Sequence, residues 1–222
     1  MTLTHSLVTN AIKGLTYILC RIDAESLEQV PLRGPLIMVV NHVNFLDGPI
    51  MYTQLQPRTL TAFAKTEAWE NPLIGALFNI WEVIPLRRDA ADATALRKGL
   101  TVLKKEGIVA IAPEGTRTND GILVQGSPGV VTLAQHSRAP LLPAAYHGGE
   151  LFRENFRSLR RTDFRIRVGK PFHLNTQGKK VNRDVRQQIT DEIMFQLAAL
   201  LPEEYRGAYK DMHAATSEFL SF

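Results

Sequence analysis

The sequence Pro35-Leu36-Ile37-Met38-Val39-Val40-Asn41-His42-Val43-Asn44-Phe45-Leu46-Asp47-Gly48-Pro49 passes from an uninterrupted apolar run into a short polar turn. The run from Pro35 to Val40 reads as a buried strand. Behind the turn, Ile50-Met51-Tyr52-Thr53-Gln54-Leu55 can begin a helix, with Asp47 as its expected N-cap and Pro49 in its first turn. A strand that feeds a helix in this way belongs to an open α/β sheet, where ligands sit just beyond the carboxyl ends of the strands. His42 and Asp47 fall in that position. Histidine titrates near neutral pH and a carboxylate can fix its tautomer, so the two are a candidate base and its orienting acid. Alone, a histidine near an aspartate is also an ordinary loop pair, and the rest of the chain has to decide between them.

Outward from this turn the chain alternates strand-like and helix-like segments. After an opening helix, residues 23–35 are polar and broken by Pro31, Gly34 and Pro35, which predicts loop with an optional edge strand. Thr59 to Ala64 reads as a strand ending at Lys65, Pro72 to Phe78 as a short helix, and Val83 to Leu86 as a strand ending at Arg87-Arg88. Asp89 or Asp92 can cap a helix with the stripe Ala95, Leu96, Leu100 and Leu103, stopped by Gly107. Ile108 to Ala112 is near-continuously apolar, the pattern of a parallel strand covered on both faces, and it runs into Pro113-Glu114-Gly115-Thr116-Arg117. A helix over 129–136, a buried strand over 141–146, an alternating strand over 164–168 and a helix from about Arg183 to Leu201 complete the series. The expectation is a single α/β domain, a mostly parallel mixed sheet covered by helices.

Composition agrees with one globular unit. A chain of 222 residues with 45% hydrophobic and 22% charged residues can bury a substantial core and has no disordered signature. The net charge of +4 suits anionic lipid, phosphorylated small molecules or an acidic partner protein, and alone selects none of them. A single cysteine, Cys20, excludes an intramolecular disulfide and fits a reducing compartment. No segment has the run of about 18 apolar residues that spans a bilayer, and no secretory leader is evident. Residues 1–22 place Leu3, Leu7, Val8, Ala11, Ile12, Leu15, Ile18 and Leu19 at helical spacing. Such a helix can lie in a membrane interface or pack on the domain, here residues 23–222.

Three strands thus end in charge: His42 with Asp47, Arg87-Arg88, and Glu114 with Arg117. A parallel sheet brings these ends to one rim, and arginine is the side chain suited to bidentate phosphate recognition. Gly115 permits close backbone approach and Thr116 adds a hydroxyl. On these residues the chain resembles the glycerolipid (lysophospholipid) acyltransferases, typified by 1-acylglycerol-3-phosphate acyltransferase. Asn41-His42 through Asp47 matches their Asn-His-x4-Asp motif. Ile84-Pro85-Leu86-Arg87-Arg88 is similar to their second motif, aligning Arg88, and Pro113 to Arg117 reproduces their Pro-Glu-Gly-Thr-Arg. Leu141-Leu142-Pro143-Ala144-Ala145 is similar to their fourth motif, and Lys65 and Gly169-Lys170-Pro171 also fit. The four motifs run in the family's order over about residues 35–172.

The resemblance implies transfer of a fatty acyl group from acyl-CoA or acyl-carrier protein to the hydroxyl of a lysophospholipid, most directly 1-acylglycerol-3-phosphate. It implies His42 as general base, Asp47 as the group that orients it, and Lys65, Arg88, Glu114, Gly115, Thr116 and Arg117 around the acceptor's glycerol phosphate. Neither metal nor cofactor is implied, and the expected location is peripheral, on the cytoplasmic face of an anionic membrane. Two departures fall near the head group: Ser127 stands where the family often has lysine, and Arg87 where an acidic or small polar residue is common. Another lipid or alcohol acceptor within the same family is the alternative. A serine hydrolase is rejected because Gly126-Ser127-Pro128-Gly129 lacks the elbow spacing. His5, His136, His147, His173 and His213 are too scattered for a metal set, and Gly148-Gly149-Glu150 reads as a turn. From another class, a non-enzymatic protein could grip anionic membrane through Arg153, Arg157, Arg160, Arg161, Arg165, Arg167 and Lys170 among Phe152, Phe156 and Phe164; nucleic acid is not expected as a partner.

Overall fold

A computed structural model describes residues 3–87 and 92–222. Its centre is a seven-stranded sheet of β1 (Cys20–Asp23), β2 (Leu36–Val40), β3 (Leu60–Lys65), β4 (Ile84–Leu86), β5 (Ile108–Ile111), β6 (Leu141–His147) and β7 (Thr162–Val168), in the order β1-β7-β6-β2-β5-β3-β4. All neighbours run parallel except β6 and β7. The strand β2 lies between β5 and β6, so its five residues are buried on both faces. Leu36, Met38 and Val40 enter one core, with Ile50, Leu142 and Phe164. Ile37 and Val39 enter the other, with Val130, Ile189 and Leu197. This two-sided burial explains why the strand reads as a continuous apolar run.

The helices are α1 (Leu3–Leu19), α2 (Asp47–Gln54), α3 (Pro72–Ile80), α4 (Ala93–Lys104), α5 (Gly129–Ser137), α6 (Phe152–Arg157) and α7 (Arg183–Ala198). Asn71 caps α3 through Leu73 and Ile74, and Asp92, not Asp89, caps α4 through Thr94 and Ala95. Asp89 lies outside the described residues. Gly107 is not the left-handed stop of α4; Glu106 takes that conformation (φ 60°), and Gly107 follows where a Cβ would come within 2.6 Å of Val102. The last helix ends at Ala198, three residues before Leu201. Residues 20–22, assigned from sequence to the opening helix, belong instead with Asp23 to the edge strand, with Ile22 opposite Phe164.

Two features place surfaces around the site. The helix α1 buries Thr9 and Thr16, and Thr9 accepts from the indole of Trp81 at 3.0 Å. Its apolar residues Leu3, Leu7, Leu15 and Ile18 face outward, 53–78% exposed. No described helix is long and apolar enough to cross a membrane. Residues 199–222 form a strap of short turns. Its carbonyl and amide groups at Tyr205 and Ala208 bond both sides of Leu123, and Tyr209 Oη accepts from Gly126 N–H and donates to Asp191. At Gly207 (φ 47°) a Cβ would lie 2.1 Å from the Leu123 carbonyl oxygen, so the strap approaches too closely for any side chain there.

Candidate active site

The carboxyl ends of β2, β5, β3 and β4 lie side by side, because those strands are consecutive in the sheet and parallel. Asn41 closes the end of β2 onto β6: its side chain accepts from Tyr146 N–H at 2.9 Å and donates to Tyr146 O at 2.8 Å. The next residue, His42, is thereby set on the rim. Its Nδ1 lies 2.8 Å from Asp47 Oδ2. The same oxygen accepts the N–H groups of Val43 at 2.7 Å and Asn44 at 2.9 Å.

Asp47 is therefore not the N-cap of α2. That position is Leu46, without a side-chain cap, and Asp47 is the first helical residue with its carboxylate folded back over the turn. The physical reason is the competition for that oxygen, which two main-chain donors and an imidazole satisfy better than one cap bond would. Burial pushes the Asp47 carboxyl above its usual range, against the pull of His42 and the two N–H groups. Its Oδ1 is buried and has no partner among the described residues.

Glu114 follows β5 and is 7% exposed. Its Oε2 accepts the His42 N–H at 2.7 Å and its Oε1 the Val124 N–H at 3.3 Å. Burial raises its carboxyl to about 7, opposed by those two bonds and reinforced by the charges of Asp47 and Asp120. Both carboxylate oxygens of this side chain, expected from the sequence to lie around the acceptor, are thus engaged by main-chain N–H groups. Gly115 takes φ 64° so that the chain can reverse, leaving Thr116 and Arg117 exposed. Arg117 Nε then comes 3.3 Å from His42 Nε2. Thr118 N–H and Asn119 N–H donate to the carbonyls of His42 and Val43 at 2.9 and 3.0 Å.

These contacts define the imidazole chemically. As a carboxylate Asp47 can only accept and the Arg117 guanidinium can only donate, so Nδ1 carries the hydrogen and Nε2 directs its lone pair toward Arg117 Nε. Such a histidine can take a proton from a hydroxyl, and the guanidinium beside it can hold an anion next to that hydroxyl. His42, Asp47, Glu114 and Arg117 are brought together. Lys65, at the exposed end of β3, pairs in register with Leu86, next to exposed Arg87; both stand further along the rim. Arg88 lies outside the described residues. Ser127 is exposed just ahead of α5.

The other histidines are dispersed over α1, α5, the end of β6, β8 (His173–Leu174) and the strap. The turn at Gly148-Gly149-Glu150 backs the site: Asn44 Nδ2 donates to Gly149 O at 2.5 Å, and Tyr205 Oη to Glu150 at 2.6 Å. Asn41 stood within the quoted motif, whereas Tyr205 and Tyr209 gave no local signal.

Comparison with known proteins supports the same region. A family model described as acyltransferase matches residues 21–147. The chain is 26% identical over 169 residues to a 1-acyl-sn-glycerol-3-phosphate acyltransferase of Bacillus subtilis, covering 76% of this chain and 82% of that one. It is 22% identical over 207 residues to the Pseudomonas aeruginosa enzyme of that name, covering 92% and 77%. The chloroplastic LPAT1 of Arabidopsis thaliana is 30% identical over 163 residues, covering 71% of this chain; the chain spans 45% of that relative's length. The crystal structure of PlsC from Thermotoga maritima, a 1-acyl-sn-glycerophosphate acyltransferase, superposes with a TM-score of 0.64 at 20% identity, covering 88% of this chain and 79% of that one, a likeness of fold. With the motifs in order, the rim assembled and more than half of its length matched by the family model, the chain belongs to the acyltransferase family.

Proposed function

We propose that the protein moves a fatty acyl group from the thioester of acyl-CoA or acyl-carrier protein to the free hydroxyl of 1-acylglycerol-3-phosphate, giving phosphatidic acid. The observation that supports this is the contact of Arg117 with His42 Nε2 at 3.3 Å, a guanidinium suited to phosphate beside the imidazole lone pair. An acceptor phosphate draws the guanidinium toward itself, with Thr116, the Gly115 main chain and Lys65 available around it. His42 Nε2 then takes the hydroxyl proton as the oxygen attacks the thioester carbonyl. Asp47 stabilises the imidazolium that forms. The tetrahedral adduct collapses, the carbon–sulfur bond breaks, and the thiolate leaves with the proton returned by His42. Glu114 supports this chemistry through the His42 main chain. The outward apolar stripe of α1 supports peripheral contact with an anionic membrane, where the acceptor resides.

The test is thiol release from long-chain acyl-CoA by purified protein, with and without lysophosphatidic acid, beside His42→Ala. The donor is then repeated as acyl-carrier protein. Acceptor-dependent release that His42→Ala abolishes is expected. Equal release by both proteins removes His42 as base, and release that other lysolipids stimulate better than lysophosphatidic acid overturns the acceptor.

A further inference from the structure

The segment Leu151–Arg161 carries an exposed apolar surface that no step of acyl transfer requires. The helix α6 ends in a left-handed turn at Leu159 (φ 53°), closed by Arg160 N–H to Asn155 O at 2.8 Å and Leu159 N–H to Phe156 O at 3.1 Å. Helices usually give that position to glycine, and a leucine there is held against its backbone preference. Its side chain is 95% exposed, so no packing within the protein offsets the strain. Leu151 and Phe156 beside it are 51% and 55% exposed. The same segment carries Arg153, Arg157 and Arg160, all exposed, and Glu154 is its single acid.

This tip is joined to the site and to α1. Phe156 stacks on Phe152 at 5.7 Å, and Phe152 meets Phe45 of the His42 turn edge-on at 5.5 Å. Arg161 donates to the carbonyls of Tyr17 in the last turn of α1 and Cys20 at the start of β1, beside the 70% exposed Ile18.

We infer that Leu151–Arg161 is a second membrane-contact element, with Leu159 and Phe156 entering the headgroup–acyl boundary of an anionic bilayer and Arg153, Arg157 and Arg160 on lipid phosphates. A convex apolar tip ringed by cations suits penetration of a soft, anionic surface. The inference rests on the acyl-transfer function proposed above, in which the acceptor is drawn from a bilayer. It places the aromatic row Phe45–Phe152–Phe156 between that bilayer and the base.

The experiment is co-sedimentation of the full chain with vesicles of phosphatidylglycerol and phosphatidylethanolamine, and with vesicles of phosphatidylcholine alone. Leu159→Gly and the double variant Arg157→Glu/Arg160→Glu are compared with the unaltered protein. Leu159→Gly relieves the left-handed strain, so its melting temperature should hold or rise, which separates lost binding from misfolding. Binding to the anionic vesicles should fall roughly fivefold for Leu159→Gly and about tenfold or more for the charge reversal. Turnover of a short-chain, water-soluble acceptor should be unchanged in both. Unaltered vesicle binding by Leu159→Gly, or equal binding of the parent protein to neutral and anionic vesicles, overturns the inference. So does a variant that keeps vesicle binding and loses turnover with acyl-carrier protein, which would make the tip a carrier-docking site. Absence of turnover in the parent protein would count against the acyl-transfer function, while the vesicle comparison still decides this one.

Discussion

Replacing Glu114 by glutamine should stabilise the protein above neutral pH while weakening the site it supports. The carboxyl is raised from 4.5 to about 7 by burial, so the folded protein holds a proton that the unfolded chain releases. Stability from this group is present below pH 4.5 and is lost as pH rises through about 7. By pH 8 the loss approaches about 3 kcal/mol, and 7% exposure leaves little solvent to screen it. Glutamine keeps the shape and the acceptor for His42 N–H but carries no charge. It gives up the longer bond from Val124 N–H, at 3.3 Å, for about 1 kcal/mol. The net expectation is a gain of roughly 2 kcal/mol at pH 8 and a small loss at pH 4.5. Urea unfolding followed by the fluorescence of Trp69 and Trp81 would show it, as a midpoint higher by about 1 M at pH 8. Other titrating groups are common to both proteins, so the difference isolates Glu114. Parallel pH profiles would refute the argument, because they would mean that the two N–H bonds outweigh burial and hold the carboxylate ionised throughout.

Asp47→Asn should keep the fold, because the two N–H donors at Oδ2 orient the amide oxygen toward them and its NH2 toward the vacant side; kcat should fall about a hundredfold to ten-thousandfold from loss of the charge that steadies the imidazolium, measured as acceptor-dependent thiol release. Gly207→Ala forces a Cβ to within 2.1 Å of the Leu123 carbonyl oxygen, so the strap must lift. A loss of roughly 2 kcal/mol or more, seen as a melting temperature lower by about 4–8 °C, is expected.

The sheet was legible because β2, β5 and β6 are apolar along their length, the mark of strands covered on both faces. The grouping of His42 and Glu114 was legible as well, since each follows within three residues of the end of one of the adjacent strands β2 and β5. Asp47 shows where local rules stop: its residue type and position satisfy the capping rule, yet its partners are an imidazole and two earlier N–H groups. Cys20–Asp23 escaped because four residues beside a helix carry no period of their own; Phe164 on a distant strand makes them a strand. Tyr205 and Tyr209 were silent for the same reason. Their role depends on Leu123 and Gly126, more than eighty positions away, and no spacing in the sequence joins them.

The main chain of His42 and Val43 meets the loop after β5 through three bonds: the Glu114 carboxylate takes the N–H of His42, and the N–H groups of Thr118 and Asn119 donate to the carbonyls of His42 and Val43. Turn and loop are consequently one mechanical part, clamped on both edges. A shift of the loop large enough to admit a different head group would carry the imidazole with it and misalign the proposed proton transfer. Changes of acceptor can therefore come more readily from parts of the rim not bonded to that turn, such as the end of β4, where exposed Arg87 stands. That is one of the two positions near the expected head group at which this chain departs from the pattern it resembles.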